Sequence, residues 1–135
     1  MSKRDEGLGR IKRVHPYAWL WEPLESDPGF VLASMFGTRV AYLDGKLMLC
    51  FAARGEEPWR GIMVCTEHAH RESLAASFPV LAPHPVLGKW LYLPEAADAF
   101  ETVAGQLVEL ARRRDPRIGV APGAKKRKRP RGPAI

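Results

Sequence analysis

Apolar and polar positions alternate most clearly over Ser34–Ala52, SMFGTRVAYLDGKLMLCFA, where two β-rich runs flank Asp44-Gly45. That dipeptide readily takes the positive φ angles of a two-residue hairpin turn. Setting Leu43 opposite Lys46 pairs Tyr42 with Leu47, Val40 with Leu49 and Thr38 with Phe51 on one face. The other face then carries Ala41 with Met48 and Arg39 with Cys50. The first set is apolar and is expected to meet the core. The second is half polar and is left for solvent or a second subunit.

The same pattern places the other elements. His15-Pro16 opens a helix through Trp19, Leu20 and Leu24 that Pro23 and Pro28 hold to about two turns. Its aromatics, Tyr17, Trp19 and Trp21, read as a cap on one end of the core, or as a wall of a ligand pocket or partner surface. Arg54–Arg60 is a polar loop that returns Trp59 to the sheet, and Gly61–Cys65 is a third strand. Thr66 is placed as the N-cap of a helix over His68–Phe78, which Pro79 ends, with Leu74 and Phe78 towards the sheet. Ala82–Gly88 reads as an extended loop and Trp90–Leu93 as a fourth strand. Pro94-Glu95 opens the longest helix, Ala96–Arg114, with Phe100, Val103, Leu107 and Leu110 at helical spacing. Glu95, Asp98 and Glu101 near its start and Arg112–Arg114 at its end suit the helix dipole. The order α-β-β-β-α-β-α predicts an α+β two-layer domain, an antiparallel sheet of about four to five strands with helices packed on one face.

Charge changes this picture only at the ends. Lys125, Lys126, Arg127, Lys128, Arg129 and Arg131 are six of the 21 basic residues, so the rest of the chain balances fifteen bases against fifteen acids. Residues 1–14 read as a flexible basic N-terminal arm, 15–118 as the domain and 119–135 as a disordered basic C-terminal tail. The six tail cations can contact nucleic acid phosphates without sequence preference. No aromatic residue in the tail is present to stack on bases. No apolar run approaches membrane-spanning length and no hydrophobic region follows the N-terminal charges, so a cytoplasmic protein without membrane contact is expected.

Candidate chemistry is sparse. Cys50 and Cys65 both sit in apolar strand-like runs and read as buried reduced thiols. Cys65, His68, His70 and His84 contain ligand types for zinc, but on a helix His68 and His70 point about 200° apart. Cys65 with His68 or His84 is the one thiol–imidazole combination, and its strand is half buried. No nucleophile elbow, phosphate loop or dinucleotide fingerprint is present. We therefore expect no catalytic residues, no metal and no cofactor. Trp59, His84, Trp90, Arg39 and Met48 remain as a pocket or partner surface.

Met35-Phe36-Gly37, a β-run ending in Tyr42, Asp44-Gly45-Lys46 and an apolar return strand together resemble the N-terminal domain of TfoX/Sxy-type proteins. Gly61–Cys65 with a short helix, Trp90–Leu93 and the last helix follow the same order, so the resemblance spans about Phe30 to Arg114. The YjbR-like proteins share a similar plan. The chain differs at Thr38-Arg39, where the family continues with glycines, and in its proline- and histidine-bearing stretch Pro79–Lys89. The second, C-terminal domain of full-length competence regulators has no counterpart in this reading. The resemblance implies a bacterial, non-enzymatic interaction or regulatory module that acts through a protein partner or as a homodimer. The alternative is a nucleic-acid-associated accessory protein anchored by its tail.

Overall fold

The computed structural model describes residues 15–35 and 37–121. The N-terminal arm 1–14, Phe36 of the Met-Phe-Gly motif and the basic run 125–131 lie outside the described residues. The chain order is α1 (Ala18–Trp21), a 3-10 turn (Glu22–Leu24), β1 (Phe30–Met35), β2 (Thr38–Leu43), β3 (Lys46–Ala53) and β4 (Arg60–Val64). A 3-10 turn (His68–His70) leads into α2 (Arg71–Ser77), then β5 (Ala82–Pro83), β6 (Leu91–Pro94) and α3 (Phe100–Arg112). The six strands form one antiparallel sheet in the order β1-β2-β3-β4-β6-β5. The fold is α+β, as expected, with two strands more than the order above contained. Phe30–Met35 pairs along its whole length with β2, and Ala82–Pro83, read as loop, pairs with β6. Pro83 is tolerated there because β5 is an edge strand.

The hairpin turn forms where the sequence puts it, with φ of 53° at Asp44 and 83° at Gly45. Leu43 opposes Lys46 and Tyr42 opposes Leu47, as predicted. Beyond them the register slips, and Ala41 opposes Leu49, Val40 opposes Cys50 and Arg39 opposes Phe51. Met48 is the extra residue of a β-bulge, which lets Met48 and Leu49 lie on one face. The predicted faces therefore hold only in part: Leu49 and Phe51 face the helices as expected, but Val40, Tyr42 and Leu47 do not, and Ala41 and Met48 take their place. Ala41, Leu43, Met48, Leu49 and Phe51 meet the helices, while Val40, Tyr42, Leu47 and Cys50 lie on the other side. A strict period of two had no room for the bulge.

Helical spacing on α3 buries Phe100, Ala104, Leu107, Val108 and Ala111. They pack with Leu20, Trp21 and Leu24 of the first helical segment and Leu74 of α2 over Phe51, Ile62, Val64 and Leu93 of the sheet. Each large side chain so buried contributes about 1.5–3 kcal/mol. The helix is shorter than predicted because Pro94 stays in β6, and 95–99 turn through bonds from Ala97 N–H to Pro94 O and from Phe100 N–H to Ala97 O. Thr66 is not an N-cap. Its hydroxyl donates to the Arg117 carbonyl at 2.7 Å and ties the segment after β4 to the segment after α3.

The face away from the helices is also buried. Val40, Leu47, Cys50, Ala52, Met63, Cys65, Trp90 and Tyr92 form a second apolar layer, flanked by Met35, Trp59, Leu87 and Val120. The expectation that Ala41, Met48 and Cys50 face solvent or a second subunit is thus corrected, since all three are buried. The structured chain also passes residue 118. Val120 exchanges both backbone bonds with Leu47, and Gly119 N–H donates to the Cys65 carbonyl at 2.7 Å.

Candidate functional site

Three of the five residues proposed as a surface do come together. The His84 and Trp59 rings lie 4.9 Å apart, and Trp90 belongs to the same layer. His84 is buried and fully engaged. Its Nδ1 accepts from Val86 N–H at 3.0 Å and Leu87 N–H at 2.9 Å, so Nε2 carries the proton and donates to the Pro58 carbonyl at 2.7 Å. Neither nitrogen is left for a metal or a substrate proton. The other two residues lie apart from this group. Arg39 donates to Ser34 Oγ at 2.7 Å beside β1, and Met48 is buried in the helix-side core.

The thiols are not paired with an imidazole. Cys50 and Cys65 are free and buried, with Sγ atoms 3.8 Å apart, and burial, then Cys50, push the Cys65 thiol well up. His68 is exposed and His70 half-buried. Among the described residues no group of three or more His, Cys, Asp or Glu side chains stands together as a metal site.

A second cluster was not predicted as a unit. The Tyr92 hydroxyl offers its single proton to Glu57 Oε1 at 2.5 Å and to the Arg60 carbonyl at 2.7 Å, and it accepts the Arg60 N–H at 3.2 Å. Arg60 Nε donates to Glu95 Oε1 at 2.9 Å. Arg60 first, then the Tyr17 phenol, hold the Glu95 carboxyl below its ordinary value. Burial first, then a neighbouring carboxylate, push both phenols far above theirs, Tyr17 beside Glu95 and Tyr92 beside Glu57. The Tyr17 hydroxyl is buried and makes no hydrogen bond of good geometry among the described residues.

Outside this corner opens a cleft of about 450 Å³ between α1 and the start of α3. Tyr17, Trp19 and Phe100 line it with Glu95, Asp98 and Glu101. Trp19 is 46% exposed, which is unusual for so large an apolar ring. A cleft of aromatic faces and carboxylates attracts cations, through the ring quadrupole and through charge. The signal was divided in the sequence, where the aromatics read as a cap or as a wall of a ligand pocket or partner surface and the acids as helix-dipole charges. A more open groove of about 630 Å³ lies between α2 and the β5–β6 edge, lined by His68, Arg71, Glu72, Ala75, Leu81 and Leu91.

No protein family, no characterised protein and no solved structure matches this chain. Among the described residues no helix is long and apolar enough to cross a membrane.

Proposed function

We propose that this chain is a non-enzymatic interaction module of the TfoX N-terminal kind, acting through a protein partner or a second copy of itself. Its contact surface is the Trp19 cleft, and the partner presents a Lys/Arg-bearing segment. The observation that carries this reading is the exposed Trp19 ring beside Glu95, Asp98 and Glu101. Of the groups that could do chemistry, His84 is committed to backbone, the cysteines to a buried layer and both phenols to their protonated forms. The chain's own run Lys125–Arg131 has the required charge, so a second copy is a fitting partner.

The test is a titration of the full chain with the heptapeptide KKRKRPR, read by tryptophan fluorescence, alongside sedimentation across a salt series. Binding that weakens with salt and disappears in Asp98→Lys/Glu101→Lys supports the reading. A chain that ignores the peptide and sediments as a monomer at high micromolar concentration removes it.

A second reading rests on the same six cations against an otherwise balanced chain. In it the tail holds nucleic acid phosphates and the domain plays an accessory part.

A further inference from the structure

The layer on the helix-free face gathers sulfur. Cys50 of β3 stands directly opposite Met63 of β4, and Cys65 follows Met63 by two residues. Both thiols are fully buried, are free, and bring their Sγ atoms to 3.8 Å. Met63 belongs to the same buried cluster, whose other members include Val40, Leu47, Ala52 and Trp90. The imidazole of His84, which stands against Trp59 and Tyr92 of this layer, has both nitrogens in use, so sulfur is the donor type on offer.

We propose that Cys50, Cys65 and Met63 form a binding site for one soft monovalent metal ion of the Cu(I) class. Thiolate and thioether donors select Cu(I), whereas hard cations want oxygen and structural zinc wants four ligands. Two sulfurs at about 2.3 Å from a shared ion, in trigonal or tetrahedral geometry, stand about 3.8–4.0 Å apart. The two thiols already hold that separation. A disulfide would instead draw them to about 2.05 Å, against the packing of two adjacent strands.

The bond accounting is simple. Each thiol releases its proton to solvent, each sulfur donates a lone pair to the ion, and no electron is transferred. The site then carries one net negative charge. Burial first, then Cys50, push the Cys65 thiol up, and Lys89, whose ammonium lies 5.9 Å from the Trp90 ring, acts against them. Leu87 and Trp90, in the loop that His84 holds, pack against the layer and would move to admit the ion.

Anaerobic titration of the reduced full-length protein with Cu(I), in competition with bicinchoninate, tests the site. Sulfur-to-copper charge-transfer absorption in the near ultraviolet reports its occupancy. The expected result is one equivalent bound, weakened more than about a hundredfold in Cys50→Ala/Cys65→Ala and about tenfold in Met63→Leu. Met63→Leu conserves volume, so it keeps the test decisive if the double variant does not fold. Circular dichroism checks the fold of each. No retention of Cu(I) by the wild type, unchanged affinity in Met63→Leu, or equal binding by a folded double variant overturns the proposal.

Discussion

His84 and Pro58 are joined by a 2.7 Å hydrogen bond from Nε2 to the Pro58 carbonyl, 26 residues apart in the chain. With its other nitrogen on Val86 and Leu87, the one imidazole ties the loop after β3 to the loop before β6. These loops bring Trp59 and Leu87 against the second apolar layer. Replacement by alanine leaves a buried carbonyl and two N–H groups without partners. We expect His84→Ala to cost about 2–4 kcal/mol, read as a lower urea midpoint, with a changed tryptophan emission as Trp59 loosens. A midpoint within error of the wild type would show that water replaces the ring.

Arg114 closes a second long-range tie. It binds Asp27 at 2.8 Å and, through Nε, Asp44 of the hairpin turn at 2.9 Å. The guanidinium first, then the Gly29 N–H, hold the Asp27 carboxyl at about 2 against an ordinary 3.8. A depressed folded value contributes stability that is fully present above pH 3.8 and is lost as pH falls towards 2. Urea midpoints measured between pH 5 and about 2 are expected to fall less steeply in Asp27→Asn than in the wild type. Parallel curves would assign the acid sensitivity to other carboxylates.

Gly61 lies at φ +151°, where β4 passes β6. A Cβ there would overlap the Leu93 carbonyl oxygen, which belongs to backbone and cannot swing aside. Gly61→Ala is expected to destabilise by about 3 kcal/mol or to prevent folding, measured by denaturant unfolding. Gly45→Ala, with open space around its Cβ but φ +83°, should meet backbone strain alone and lose less.

Trp19→Ala tests the cleft without touching the core. An exposed tryptophan at the centre of an interface carries about 2 kcal/mol or more, so affinity for the basic heptapeptide should fall about thirtyfold. The unfolding midpoint should barely move, because Trp19 is 46% exposed in the free chain.

The tail reading makes a quantitative claim. If Lys125–Arg131 neutralises six phosphates of duplex DNA, log K should fall with log salt at a slope of about −5. A chain ending at Gly123 should then lose the binding. Binding that survives the truncation would move the site onto the domain.

Much of the architecture was legible in the order of residues. Asp44-Gly45 sets its own turn because both residues tolerate positive φ, and the Phe100–Ala111 stripe marks α3 because helical neighbours three and four apart share a face. The Cys pair, the His84–Pro58 bond and the Trp19 cleft were not legible as units. Each joins residues from segments distant in sequence, and no local pattern records who their neighbours are.

The sequence by itself determined the α+β class, the hairpin turn, most strand positions and the concentration of cations near the C-terminus. These depend on backbone preference, short-range periodicity and composition. Only the tertiary structure decided which face of the hairpin meets the helices: β2 turns Ala41 and Leu43 towards them and Val40 and Tyr42 away, and the extra residue Met48 sends Leu49 and Phe51 to the helix side although Leu47 lies on the other. That same bulge sets which β3 side chains share the helix-free layer, and with it the 3.8 Å approach of Cys50 and Cys65.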